Sequence, residues 1–300
     1  MHKIKNISIL AAWNLKAIYK NPRVIMCAIM AFLLSCMLSN HIIIIANQYR
    51  TDIQVLELFI WCFSDSDSVL FAALVLMLLL SSLPNLGPET AYLIFRTDQI
   101  TWLIAQMLTM VIVTAIYVFL LLLSCILLGL GISYTTNQWS ETALLLSYMP
   151  AESETAVEVV RRAMLDTSPY QCAFDVFLLL EQYMLLLSML QLTATLTRNK
   201  RAGVLVVLSL NLTSYILTPS RFITWLQLDS NLQYIANLLS VWLSPLQHAT
   251  YSMHTFGYDS LPTLFASNII MMAISLILVC ISFLLLKKYY FHFLGGDENA

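Results

Sequence analysis

The sequence has few charged residues. Aspartate, glutamate, lysine and arginine make up 11% of its 300 residues, whereas a soluble globular domain carries about 25%. Apolar residues reach 59%, and the mean hydropathy is +0.78. This apolar excess suits lipid rather than water, so the composition excludes a soluble protein and predicts an integral membrane protein. The net charge of −2 and the lack of a basic, aromatic patch argue against nucleic acid as a partner.

Motifs that would carry catalysis are also missing. The seven glycines never form GxxxxGK, so the chain has no phosphate-binding loop and we expect it not to hydrolyse ATP itself. Neither HExxH nor GxSxG occurs. His248 and His254 are six residues apart in an outer segment, a spacing that does not indicate a metal site. We therefore expect no enzyme activity, metal or cofactor in this chain.

The six cysteines show no CxxC spacing. Four of them lie inside apolar runs, where cysteine behaves as a small hydrophobic residue. Cys62 and Cys172 fall in polar segments that we place on the same outer face. Whether they form a disulfide stays open, because the sequence does not give the geometry that a disulfide needs.

Residues 3–20 are too polar to cross a membrane but carry an apolar stripe. The stripe repeats at helical spacing, and the lysines lie opposite; its members are Ile4, Ile7, Ala11, Leu15 and Ile18. A basic helix with a narrow apolar face lies flat at the membrane surface. We predict such a helix on the cytoplasmic side, ending at Asn21-Pro22, and we expect no cleavable signal peptide.

Six apolar stretches approach the ~20 residues needed to cross roughly 30 Å of hydrocarbon. They are residues 24–45, 69–86, 102–132, 176–196, 202–218 and 264–286. The second and fifth are short. Residues 53–63 are apolar but contain Glu57, and we predict an interfacial helix there. The predicted fold class is all-α, a polytopic membrane protein with six transmembrane helices.

The distribution of basic residues predicts the orientation. With the N-terminus inside, 11 of the 15 lysines and arginines face the cytoplasm, which satisfies the positive-inside rule. The chain then divides into a cytoplasmic helix (1–22), a transmembrane domain (23–288) and a cytoplasmic tail (289–300). In the outer segments we predict a small helix over 151–166 and a re-entrant or interfacial helix within 219–262.

A polar interruption at residues 83–102 separates the second and third spans. Pro84, Gly87 and Pro88 stop the preceding apolar run. The residues from Glu89 to Ile100 then form a predicted amphipathic helix on the cytoplasmic side. A structured polar segment between two spans is typical of a docking point for a partner.

Few polar residues occur inside the predicted spans. Glu181 is the only acid, and we place it near the outer end of the fourth span, where it either reaches water or lines a substrate path. Asn40 and Asn211 serve either helix–helix hydrogen bonding or substrate contact. Because no span carries two acids or a lysine–acid pair, the pattern argues against an ion-coupled carrier.

This layout resembles the membrane subunit of type-2 ABC transporters. The resemblance implies two permease subunits, identical or paralogous, enclosing a path, and two cytosolic ATPase subunits that bind ATP and Mg²⁺. It further implies that the ATPases act on the 84–102 segment and the N-terminal helix, through Glu89, Arg96, Asp98, Lys5 and Lys16. The residues expected along the substrate path are Asn40, Glu181 and Asn211.

Export is the function that the resemblance implies. The cargo would be a peptide, drug or other amphipathic molecule, including an antimicrobial peptide whose export gives resistance. A separate ATPase suggests a prokaryotic cell membrane, with both termini in the cytoplasm. Two alternatives stay open: an ion-coupled secondary carrier, and a non-transporting membrane protein such as an immunity protein.

Overall fold

The computed structural model describes residues 2–84, 97–148, 161–197, 200–227, 233–257 and 260–287, and element labels count over these residues. The long helices are α1 (His2–Tyr19), α2 (Pro22–Tyr49), α4 (Ser66–Leu80), α5 (Gln99–Gly129), α8 (Pro169–Thr197), α9 (Lys200–Ile216) and α13 (Leu264–Leu286). Shorter helices are α3 (Glu57–Cys62), α6 (Glu141–Tyr148), α7 (Arg161–Asp166), α10 (Pro219–Leu226), α11 (Gln233–Leu243) and α12 (Pro245–Ala249). Two short strands, β1 (Ile53–Gln54) and β2 (Ser133–Tyr134), pair in parallel.

Four of these helices are long and apolar enough to cross a membrane: α2, α5, α8 and α13. Helices α9 and α10 give a fifth candidate if they count as one span, bent by 73°. The helical architecture is as predicted, and the chain is consistent with an all-α membrane protein. The sixth span stays a prediction, because α4 has 15 residues and reaches about 22 Å, short of the roughly 30 Å hydrocarbon layer.

Helix α8 lies at the centre of the fold. It packs against α13, α9 and α5 and also touches α3, α4 and α12. Gly203 on α9 allows a close approach, because an added Cβ would clash with Thr195 Oγ1 and lie 3.1 Å from the Gln191 carbonyl oxygen of α8. On α13, Ser282 lies 2.9 Å, Oγ to Oγ1, from Thr193 of α8. Small and hydroxyl-bearing residues thus set the helix spacing around α8.

Helices α2 and α13 turn most of their apolar surface outward. Exposed side chains on α2 include Ile25, Met37 and Ile44, and those on α13 include Phe265 and Leu284. Apolar faces of this extent are unfavourable in water but neutral against lipid. These two helices therefore provide the surface that a bilayer, or another membrane protein, would cover.

The segment predicted as an interfacial helix lies inside the protein. All six residues of α3 are buried, and Phe59 and Trp61 belong to the main core cluster. The interfacial prediction for 53–63 is therefore wrong. The prediction failed because the charge of Glu57 argued against burial, whereas inside the fold Ser140 donates hydrogen bonds to the Glu57 carboxylate.

The remaining elements match the sequence patterns to different degrees. Helix α1 ends one residue before the predicted 3–20 segment ends, and α7 is the described part of the predicted 151–166 helix. The predicted stretch within 219–262 is not one helix. It divides into α10, α11, α12 and a short 3-10 turn at Tyr251–Met253, because prolines at 219 and 245 begin new helices.

Candidate functional site

Helix α1 lies against the first half of α5, and polar contacts join the two helices at two places. At the N-terminal end, Lys3 Nζ lies 3.4 Å from Asp98 Oδ2. Asp98 is the N-cap of α5, and its Oδ1 accepts a hydrogen bond from the Thr101 backbone N–H at 3.4 Å. The hydrogen bond with Thr101, together with the charge of Lys3, lowers the pKa of Asp98 below its ordinary value of 3.8.

The second contact between α1 and α5 is buried. Asn14 Nδ2 donates to Thr109 Oγ1 at 3.3 Å, and Gln106 Nε2 donates to Asn14 Oδ1 at 3.5 Å. Thr109 Oγ1 in turn donates to the Ala105 carbonyl oxygen. We call the Lys3–Asp98 pair and the Asn14–Gln106–Thr109 group together the α1–α5 clamp. Buried amides in an apolar surrounding fix a single register between two helices.

The clamp face of α1 overlaps the stripe predicted to lie on a membrane, since Ala11 belongs to both. Leu10, Ala11 and Asn14 are its buried residues, whereas Ile4, a member of the predicted stripe, is 71% exposed. The stripe therefore serves partly as a packing face against α5. Asn14 did not stand out in the sequence, and its only signal was its position beside the stripe residue Leu15.

Further along α5, Thr114 contacts the acid of α8. Thr114 Oγ1 donates to Glu181 Oε1 at 2.7 Å. Thr114 is the middle residue of the 31-residue α5, and Glu181 is the thirteenth residue of the 29-residue α8. Within the described chain, Glu181 Oε2 is buried without a hydrogen-bond partner.

Glu181 lies deeper than the sequence indicated. We placed it near the outer end of a span beginning at 176, but α8 begins at Pro169, so Glu181 is about 18 Å along the helix from its first residue. The additional turns start at a proline, which is favoured at the first helical position. Glu181 therefore lies near the middle of α8, half-buried and in contact with Thr114 of α5, and not at a helix end.

The two asparagines predicted for the substrate path lie apart from Glu181. Asn211 is fully buried in α9; Tyr183 Oη donates to its Oδ1 at 2.5 Å, and its Nδ2 lies 3.6 Å from Met77 Sδ. This group ties α8, α9 and α4 together, which fits helix–helix bonding. Asn40 lies on the exposed face of α2. The structure does not bring Asn40, Glu181 and Asn211 into one site.

The residues predicted to contact an ATPase occupy varied positions. Lys5 and Lys16 are exposed on α1, and the Asp98 side chain is 42% exposed in its pair with Lys3. Glu89 and Arg96 lie outside the described residues, as does most of the predicted 89–100 helix. Of the predicted set, Asp98 has a structural role that the sequence did not reveal, because an N-cap is recognised only once the helix start is known.

A second buried carboxylate lies at Glu57, which is 1% exposed. Its Oε1 accepts the Ser140 backbone N–H at 2.7 Å, and its Oε2 accepts the Ser140 hydroxyl at 2.5 Å and the Gln54 backbone N–H at 3.3 Å. Burial raises the pKa of Glu57 to about 7, although these hydrogen bonds act in the opposite direction. The contact joins α3 to the segment that follows β2.

His248 and His254 are both buried. His248 Nδ1 lies 2.9 Å from Ser267 Oγ, and His254 Nδ1 lies 3.3 Å from the Tyr251 carbonyl oxygen. Burial lowers the pKa of both, that of His254 to about 4. Across the described residues, no three His, Cys, Asp or Glu side chains form a possible metal site. The cysteines are free, so Cys62 and Cys172 do not form a disulfide.

The fold and these contacts define a class: a mostly helical protein with four or five candidate membrane spans, an N-terminal helix clamped to one of them, and a carboxyl group between two of them. Comparison of the chain with protein-family models, with curated proteins and with solved structures finds no match.

Proposed function

We propose that this chain is the permease subunit of an ATP-powered exporter whose ATPase is a separate polypeptide. The observation that carries the proposal is the α1–α5 clamp. It ties the basic N-terminal helix to the very beginning of α5, the helix that directly follows the polar 83–98 segment. A soluble ATPase that displaces either that segment or α1 would therefore displace α1 and α5 together.

Helix α5 offers a route from this unit to the protein interior. It is continuous from Gln99 to Gly129, so a displacement of its first turns is carried along its axis. Polar contacts follow it in order: Asp98 to Lys3, Thr109 to Asn14, and Thr114 to Glu181. In this proposal the last contact is the one that changes when the ATPase closes.

Three further features of the chain are compatible with an exporter, although they also occur in other membrane proteins. The outward apolar surfaces of α2 and α13 suit lipid or a second permease subunit. The absence of GxxxxGK from the sequence requires the ATP-binding sites to lie on another polypeptide. The apolar spans, with their 14 methionines, favour an amphipathic cargo such as an antimicrobial peptide.

Charge reversal at the clamp tests the proposal. The chain is purified from its native membrane in mild detergent, and Mg²⁺-dependent ATP hydrolysis is measured in the purified complex. Lys3→Glu and Asp98→Lys each place like charges 3.4 Å apart, so each should reduce hydrolysis at least about twofold. The double reversal restores the opposite charges but not the Asp98 cap on Thr101, so it should recover the part of the rate that depends on the charge pair.

The matched control is Arg221→Glu, which reverses an exposed basic residue on α10, outside the clamp and the predicted ATPase contacts, and should leave hydrolysis unchanged. A purified chain without ATPase activity would contradict the proposal, and so would two single reversals that hydrolyse ATP like the wild type.

One observation favours a second candidate, a proton-coupled carrier. Such a carrier needs an ionisable group deep in the membrane, and Glu181 is a buried carboxyl group near the middle of α8. In sealed vesicles without any ATPase, a pH gradient would then drive uptake of an amphipathic dye, and Glu181→Gln would abolish it. An inactive wild type in this assay would contradict the carrier.

A further inference from the structure

Two cavities lie along α1, the first against α2, α4 and α5 and the second against the residues that follow α4. The first, which we call the apolar cavity, has a volume of about 320 Å³, and its lining includes Ile18, Val24, Cys27, Ala28, Val113 and Leu120. This volume is at the lower end of the range for small-molecule pockets, about 300–1,000 Å³. Nearly all of its lining groups are hydrocarbon, so only an apolar occupant would favour it.

The second cavity has a different chemical character. This polar cavity, about 140 Å³, is lined by Asn14, Ala17, Ile18, Asn21, Ser82 and Leu83. Ile18 belongs to the lining of both cavities, so the two meet at that side chain. An occupant that fills both would need an apolar part joined to a polar part.

Two exposed basic residues, Lys20 and Arg23, are sequence neighbours of residues that line the cavities. Lys20 stands between Tyr19, which lines the apolar cavity, and Asn21, which lines the polar one, and it is exposed. Arg23 is exposed beside Val24, and its Nη1 donates to Ser81 Oγ at 2.9 Å. A guanidinium has five N–H donors, and this bond uses one of them. The polar part of the occupant is therefore expected to be anionic.

We infer that these cavities form a binding site for an anionic membrane phospholipid. One acyl chain occupies the apolar cavity, and the phosphate lies at the polar cavity beside Lys20 and Arg23. The lining on α5 extends from Val113 to Leu120, about 10 Å of helix, which matches part of an acyl chain in a 30 Å hydrocarbon layer. Phospholipid is the occupant favoured by this pairing of hydrocarbon and positive charge in a membrane protein.

The site is separate from the proposed function. It concerns what binds between α1 and its neighbours, and it would hold for a carrier or a non-transporting protein as well. Because Asn14 belongs both to the polar cavity and to the α1–α5 clamp, a bound lipid would also support the position of α1.

Lipid retention by the purified, full-length chain tests the inference. The protein is washed in detergent, mixed with phosphatidylglycerol or phosphatidylcholine of identical acyl chains, and examined by native mass spectrometry. Each basic residue near an anionic lipid favours binding by about fivefold, so two should favour phosphatidylglycerol by about 30-fold. Equal retention of the two lipids would overturn the inference.

Variants separate the two halves of the site. Lys20→Gln with Arg23→Gln should reduce the preference for phosphatidylglycerol to about twofold, since the charges are lost. Ala28→Trp fills the apolar cavity and should remove retention of both lipids. The matched control, Ile25→Trp, adds the same ring to an exposed position of α2 and should behave like the wild type. Equal loss in Ala28→Trp and Ile25→Trp would contradict the site.

A measurement on the wild type keeps the test valid if Ala28→Trp does not fold. Phosphatidylglycerol with a diazirine in one acyl chain should crosslink to peptides containing Val24–Ala28 and Val113–Leu120. Crosslinks spread evenly over α2 and α13 would show bulk lipid only and overturn the inference. Displacement of the retained lipid by millimolar glycerol phosphate would also overturn it, because the site would then bind the headgroup without the acyl chain.

Discussion

Replacing Glu57 by glutamine should change how the stability of this protein depends on pH. In the folded protein the pKa of Glu57 is about 7, above its ordinary value of 4.5. Between these two pH values the folded state binds more protons than the unfolded state, so stability is lost as the pH rises. From pH 5 to pH 8 this loss amounts to about 2–3 kcal/mol.

A buried histidine acts in the opposite direction. The pKa of His254 is about 4 in the folded protein, below its ordinary value of 6.5. The unfolded state therefore binds more protons between these values, and stability rises by about 2 kcal/mol from pH 5 to pH 8. The two contributions nearly cancel in the wild type. Together, Glu57 and His254 should therefore leave its stability almost unchanged between pH 5 and pH 8.

Glu57→Gln removes the first contribution and leaves the second. At pH 5 the variant should be close to the wild type in stability, because Glu57 is then protonated and the amide is uncharged like the neutral acid. At pH 8 it should be more stable. The difference in melting temperature should therefore change by about 5 °C between the two pH values.

The assay is thermal unfolding in detergent, followed by intrinsic fluorescence at half-unit steps from pH 5 to pH 8. Glu141→Gln is the matched control, because it neutralises an exposed acid next to Ser140 and should follow the wild-type profile. Parallel profiles for Glu57→Gln and the wild type would refute the reasoning. That result would mean that Glu57 is ionised in the folded protein throughout this range.

Three further predictions concern packing between helices. Asn14→Leu should loosen α1 by about 1–2 kcal/mol, since Thr109 loses its donor, and faster hydrogen exchange confined to α1 would show it; unchanged exchange would contradict the clamp. Gly203→Ala should destabilise the protein by about 1–3 kcal/mol through the clash with Thr195, seen as a lower melting temperature that Gly131→Ala, in open space, does not produce. Tyr117→Phe should cost about 1 kcal/mol, because the hydroxyl donates to a carbonyl of α4 at 2.7 Å; an unaltered melting temperature would show that this bond contributes nothing.

Helix boundaries tested the sequence reasoning most directly. The predicted spans at 24–45, 102–132 and 264–286 correspond to α2, α5 and α13, because long apolar runs have few alternatives to helix. The start of α8 was misplaced by seven residues because Pro169 and Asp175 look like loop residues in sequence. That error moved Glu181 from the middle of a helix to its end and altered the interpretation of its role.

The sequence by itself determined the helical architecture and the candidate membrane spans, since composition and the length of apolar runs can be read directly along the chain. The tertiary structure alone decided which polar groups meet. Asn14 contacts Thr109, and Glu57 contacts Ser140, across separations of 95 and 83 residues. No local pattern encodes such pairs, because each side chain has the same sequence surroundings whether its partner is protein, lipid or water. Buried polar groups need hydrogen-bond partners, and the packing of the helices determines which groups become those partners.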